Sequence, residues 1–209
     1  MSIAREAWPF ALPPALAAIV CWALGQPLAA VLLAAATLCV AAFFRIPARR
    51  FAGGERAVLA PANGVVTAVD RVEEPEIGPG TFQRVVTFLS VFNVHVQRAP
   101  VDGAVVLSRF RRGRKVAAFR DDAGEVNESH LLVLERAAGG RVGVRQIAGL
   151  LARRVVCHAR VGDALERGEL FGLIKFGSRV DLYLPADWTV AVEKGQRLTE
   201  GVSVVAEAP

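Results

Sequence analysis

The sequence predicts a mainly β fold, a compact barrel- or sandwich-like domain with a few short helices, preceded by an N-terminal apolar helical hairpin. Three observations carry this. The run from Trp8 to Phe44 is apolar and uncharged, and breaks at Gly25-Gln26-Pro27. From Ala57 onward, short stretches rich in Val, Ile, Leu and Phe alternate with Gly and Pro, which is the pattern of short strands between turns. The length, 209 residues, suits one domain with an appendage. The division falls between a hairpin over residues 1–50 and a domain over residues 51–209.

The hairpin comes first. A span of the hydrocarbon core needs roughly 20 residues, so Trp8–Phe44 is too long for one crossing. Split at Gly25-Gln26-Pro27, a helix stop and restart, it gives two pieces of about 17 residues, near the short end of the spanning range. Pro13-Pro14 predicts a helix start or a kink there. Arg5 precedes the first piece, and Arg45, Arg49 and Arg50 follow the second. The positive-inside rule then puts both ends in the cytoplasm, with the domain on the cytoplasmic face of the cell membrane. A signal peptide fits poorly, because a second apolar run follows at once; two helices lying shallowly in one leaflet are the other reading.

The hairpin accounts for most of the apolar excess, 53% hydrophobic residues at a mean hydropathy of +0.38. A net charge of +5 beside such a segment points to an anionic lipid surface. Nucleic acid is not expected, since the arginines form no long basic run with interleaved aromatics. The group Arg109, Arg111, Arg112, Arg114 and Lys115 is the candidate for holding anionic lipid, against a solvated basic loop. Cys21, Cys39 and Cys157 have neither disulfide nor zinc spacing, and Cys157-His158 would face opposite sides of a strand, so no metal is expected.

In the domain, strands are expected over 64–69, 84–91, 104–107, 130–134, 141–147, 153–159 and 180–184. Short helices are expected over 147–154 and near 127–129. Two faint repeats suggest related halves. Ala60-Pro61-Ala62-Asn63-Gly64 resembles Ala99-Pro100-Val101-Asp102-Gly103, and the Gly-x5-Gly turn at Gly162–Gly168 resembles that at Gly195–Gly201.

Three motifs carry candidate chemistry. Phe176-Gly177-Ser178-Arg179 precedes an apolar strand and by itself reads as a turn. Glycine there also permits strained backbone, from which the Ser178 hydroxyl can attack the Gly177 carbonyl; β-elimination from the resulting ester leaves dehydroalanine, the precursor of a pyruvoyl group. His95, within Phe92-Asn93-Val94-His95-Val96-Gln97-Arg98-Ala99-Pro100, is either a structural strand histidine or an acid–base group. Pro61-Ala62-Asn63-Gly64 contains a hairpin-type Asn-Gly pair.

Together these blocks, with 144–154, 175–185 and Phe43-Phe44-Arg45-Ile46-Pro47-Ala48-Arg49, resemble the short, bacterial and archaeal-type branch of the phosphatidylserine decarboxylases over nearly the whole chain. The resemblance implies self-cleavage between Gly177 and Ser178, giving a large chain 1–177 and a small chain 178–209 that stay associated. It implies a covalent pyruvoyl cofactor made from Ser178, which forms a Schiff base with the amine of a phospholipid substrate and acts as its electron sink. It implies that His95 returns the proton and assists Ser178. Longer relatives have a second histidine where Arg98 stands here. Asn63 takes the place of the family aspartate that orients the histidine; slow maturation, a substitute carboxylate such as Asp102, deamidation of Asn63, and an unprocessed non-catalytic homologue are the accounts open. A decarboxylase of archaetidylserine, a carrier modified at Lys175, and a Ser178/Lys175 hydrolase are the other readings. A homo-oligomer is open.

Overall fold

A computed structural model describes all residues except 52, 115, 117–119, 121, 150–153 and 176–177. Two compact units result, Met1–Ala48 and Arg49–Pro209.

In the first unit, β1 (Ser2–Ile3) pairs with β2 (Arg45–Ile46), bracketing α1 (Trp8–Ala23) and α2 (Pro27–Phe43). The break falls at Gly25, whose φ of 71° is a left-handed conformation that glycine adopts without penalty. Pro13 and Pro14 lie inside α1 and neither start nor end it; the helix instead starts with proline in its first turn, Pro9. The helices pack on each other, yet Leu16, Ile19, Trp22, Leu28 and Leu38 are each more than 60% exposed. Side chains this apolar, left facing outward, call for an apolar environment. Arg5–Ala23 is long and apolar enough to cross a membrane; Pro27–Phe43 is apolar but shorter.

The second unit is mostly β, a curled half-barrel. Its elements in chain order are β3 (Ala57–Leu59), β4 (Gly64–Glu73), β5 (Thr81–Leu89), β6 (Val96–Arg98), β7 (Gly103–Arg111), α3 (Ala123–Val126), β8 (Ser129–Glu135), β9 (Arg141–Ala148), β10 (Val155–Cys157), β11 (Ala164–Leu165), β12 (Leu170–Ile174), β13 (Ser178–Pro185), β14 (Thr189–Val190), β15 (Arg197–Leu198) and β16 (Val204–Glu207). An eight-stranded sheet runs β11-β7-β8-β9-β13-β5-β4-β15, accompanied by the three-stranded sheets β10-β12-β6 and β14-β16-β3.

Residues 147 and 148 end β9 and do not open a helix, Gly149 and Arg154 are not helical, and 150–153 lie outside the described residues. The other expected helix forms slightly earlier, as α3.

The repeats prove structural. Gly64 opens β4 and pairs with Leu198 of β15; Gly103 opens β7 and pairs with Leu165 of β11. The two related strands thus each recruit a short edge strand from a related turn, at opposite edges of one sheet. The glycines serve the same purpose. A Cβ on Gly64 would collide with the Phe88 carbonyl, and one on Gly103 would lie 2.8 Å from that of Glu135. Asn63-Gly64 is therefore a strand entry requiring close backbone approach, and not a hairpin turn.

The central strand β13 is buried on both faces. Val180, Leu182 and Leu184 point into the main core with Val66, Val85, Leu132, Val144 and Phe171. On the other face Tyr183 joins Ile77, Phe82, Leu131 and Val133 in a smaller cluster. Arg179 and Asp181 share that second face, where they form a buried two-pronged ion pair at 2.6 and 2.8 Å. Arg145, on the same face, reaches Glu74 at 2.8 Å.

Candidate active site

One end of the large sheet gathers the residues singled out in the sequence. Ser178 begins β13 and pairs with Leu89, which ends β5, and with Ala148, which ends β9. Asn63 immediately precedes β4 at the same end, since Val65 pairs with Phe88. The chain leaving β5 then supplies Asn93 and His95.

Ser178 is fully buried, and its Oγ has no hydrogen-bond partner among the described residues. A buried hydroxyl left in that state costs about 1–3 kcal/mol, so its persistence calls for a reason. The register puts it on the core face with Val180. Gly177 and Phe176 lie outside the described residues, so the scissile linkage is not itself described.

His95 is 2% exposed, and its Nδ1 lies 2.9 Å from the Asn93 carbonyl oxygen. A carbonyl only accepts, so Nδ1 carries the proton and Nε2 is the basic nitrogen of the neutral ring. The backbone carbonyl of His95 accepts from the Ile174 amide at 3.0 Å and from Gln97 Nε2 at 3.0 Å. Gln97 in turn accepts from Gln146 at 2.7 Å, and both glutamines are fully buried. The backbone at His95 is thus held by β12 and by a buried amide pair.

Asn63 is tied to the segment that carries His95. Its Oδ1 accepts a hydrogen bond from Asn93 Nδ2 at 2.8 Å, while Asn93 Oδ1 accepts from the amide and hydroxyl of Ser90. The link from Asn63 to His95 therefore runs through Asn93. The sequence signals this role for Asn93 only as an amide two positions before a candidate base. Asp102 is not in this group. It is exposed, its Oδ1 caps the Arg167 amide at 2.8 Å, and it precedes β7 at the end away from Ser178. The length of β9 separates those ends by about 23 Å.

Arg98 donates to the Gly168 carbonyl at 2.8 Å, near the buried Glu200 that pairs with Arg49 at 2.8 Å; burial lowers its pKa below the usual arginine value. The backbone amide of Lys175 donates to the Arg154 carbonyl at 3.1 Å, which continues the β10–β12 pairing. His130 pairs across the sheet with Gln146, its Nε2 lies 2.9 Å from Ser108 Oγ, and burial lowers its pKa. Burial raises the Cys157 thiol. Burial, then the charge of Asp181, raises the Tyr183 hydroxyl above its ordinary value.

The basic run is not one surface. Arg109 pairs with Glu76 at 2.9 Å, and Arg111 donates to the Gly124 carbonyl at 2.5 Å. Lys115 lies outside the described residues. Arg112 and Arg114 have no ion pair among the described residues.

Comparison with known proteins agrees with the motifs. The family model for phosphatidylserine decarboxylase matches residues 36–206. A phosphatidylserine decarboxylase proenzyme of Symbiobacterium thermophilum is 45% identical over 211 residues, covering 99% of this chain and 96% of that protein. One of Cupriavidus pinatubonensis is 41% identical, covering 98% and 94%. One of Rhodococcus opacus is 47% identical over 180 residues, covering 85% and 76%. The matched region holds the Ser178 end of the sheet with Asn63, Asn93 and His95, and the chain belongs to the phosphatidylserine decarboxylase family.

Proposed function

We propose that this chain is a self-processing, membrane-associated phosphatidylserine decarboxylase, which converts phosphatidylserine to phosphatidylethanolamine and CO2. The observation that carries the reading is the buried Ser178 hydroxyl, without a partner among the described residues, at the sheet end that also holds His95. In this reading Ser178 Oγ attacks the Gly177 carbonyl and the amide becomes an ester. Elimination then frees the Gly177 carboxylate, and hydrolysis releases ammonia and leaves a pyruvoyl group at the start of the small chain.

That group supplies a carbonyl conjugated to an amide, an electron sink that no ordinary side chain offers. The basic Nε2 of His95 suits proton transfer, first from the Ser178 hydroxyl and later at the substrate carbon. Asn63 acts at one remove, by holding Asn93. The non-catalytic reading loses ground here, because accepting a hydrogen bond from an amide is a task that an asparagine oxygen performs.

Continued association of the two chains is supported by pairing. Strand β13 lies between β5 and β9, β15 pairs with β4, and β16 pairs with β3. Every one of these partners would belong to the large chain. The apolar hairpin suits a substrate that leaves the bilayer at a cost of about 0.8 kcal/mol per CH2, and its flanking arginines favour a cytoplasmic catalytic face. The ester-linked substrate is favoured over an ether-linked one by the names of the relatives.

Intact mass tests the proposal. Two chains broken at Gly177–Ser178, the smaller lacking a free amino group, are expected, together with CO2 release from phosphatidylserine. A single full-length chain that persists for days overturns it.

A further inference from the structure

A cleft of ≈ 440 Å³ opens beside the Ser178 end of the sheet, lined by Phe110, Arg112, Gly113, Glu128, Arg154 and Val155. Its volume is in the range of small-ligand sites. We propose that this cleft is the subsite for the phosphodiester of a glycerophosphoserine head group, with Arg112 and Arg154 as its anion-binding residues. The proposal rests on the decarboxylase reading for the choice of ligand.

Register ties the cleft to Ser178. The Glu128 carbonyl accepts the amide of Ala148 at 2.9 Å, and Ala148 is the cross-strand partner of Ser178. Phe110 pairs with His130, His130 with Gln146, and Gln146 with Val180, two residues from Ser178. Directly paired residues in a sheet share a face, as do residues two apart on one strand, so Phe110 and Ser178 lie on the same side. On the far wall, Val155 pairs with Ile174, and the Arg154 carbonyl accepts the Lys175 amide at 3.1 Å, three residues before Ser178.

The distances suit one head group. Two strand spacings put Glu128 about 10 Å from Ser178. In a phosphoserine head group the amine and phosphorus are four bonds apart, about 5 Å. With the amine at position 178, the phosphate therefore reaches toward the cleft, and an extended arginine side chain closes the remainder.

The charge is also complementary. Arg112 and Arg154 are exposed, and neither has an ion-pair partner among the described residues. Glu128 is the carboxylate among the described lining residues, and its Oε1 accepts the Val155 amide at 3.2 Å. Among the described lining residues, two guanidiniums against one carboxylate leave a net positive charge, and the planar donor fork of arginine fits phosphate oxygens in pairs. Phe110, 47% exposed, offers an apolar wall to the glycerol end.

Titration calorimetry of the purified full chain with soluble glycerophosphoserine tests the site without requiring turnover. The double variant R112Q/R154Q is expected to bind at least tenfold more weakly, each single variant to fall between, and R197Q, at an exposed arginine on β15, to match the parent. Absence of binding by the parent, equal affinity in the double variant, or equally tight binding of inorganic phosphate overturns the proposal. CO2 release from phosphatidylserine micelles is followed on the same samples. Arginine-dependent binding without CO2 release counts against the decarboxylase reading and leaves the site standing. CO2 release with a KM unchanged in the double variant counts against the site alone.

Discussion

Asn93 Nδ2 donates a 2.8 Å hydrogen bond to Asn63 Oδ1, and the backbone carbonyl of Asn93 accepts from His95 Nδ1 at 2.9 Å. One residue therefore connects Asn63 to the candidate base. An acceptor at 63 orients the amide of 93, and the fixed backbone of 93 sets the ring of 95.

Asn93→Ala should disturb both ends of this link. It leaves Asn63 Oδ1 and the Ser90 donors without their partner, at about 1–3 kcal/mol for each group that stays buried. Conversion to two chains, followed on a denaturing gel, is expected to slow more than tenfold. Processing at the parental rate would show that the link is not needed.

Asn63→Asp should speed conversion. The carboxylate keeps the acceptor for Asn93 and adds a negative charge near His95, which favours its protonated form. Where a carboxylate contacts the catalytic histidine directly, its loss costs roughly 10⁴-fold. Here it acts through Asn93, and a gain on the order of tenfold is expected. Equal time courses for variant and parent would show that residue 63 does not limit maturation.

The Arg179–Asp181 pair, 6% and 0% exposed, should show the asymmetry of buried ion pairs. Asp181→Asn leaves a buried guanidinium with a neutral partner and is expected to cost about 3–5 kcal/mol, whereas replacing both residues with apolar ones of similar volume should cost less. Urea denaturation in a Ser178→Ala background, which keeps the chain in one piece, measures both. A double variant less stable than D181N would contradict this account.

His130 should impose a pH dependence on stability. Its Nε2 lies 2.9 Å from Ser108 Oγ, which itself donates to the Ala159 carbonyl, so Nε2 carries the proton of a neutral ring. Burial lowers the folded-state pKa below the ordinary 6.5, and the unfolded chain takes up a proton first. This contribution is complete above pH 6.5 and declines as pH falls through that value toward the lowered one. In the Ser178→Ala background, His130→Gln is expected to flatten the fall in Tm between pH 7 and pH 5. An identical slope in the variant would assign the fall to other groups.

The sequence alone determined the features that depend on near neighbours. An uncharged run with a Gly-Gln-Pro break is enough for two apolar helices, and strand-length apolar runs between glycines are enough for a β domain. Ser178 and His95 were visible because each sits in a distinctive run. Only the tertiary structure decided how these pieces meet. Asn63 and Asn93 are 30 residues apart, and Arg145 and Glu74 are 71 apart, so no local period encodes either pair. The basic run looked uniform until folding tied Arg109 to Glu76 and Arg111 to Gly124, leaving Arg112 beside a cleft shared with Arg154. The physical reason lies in strand register. Alternation along one strand gives the side on which a residue falls, but the partner across the sheet is set by which strands pair and where, and that is a property of the whole core.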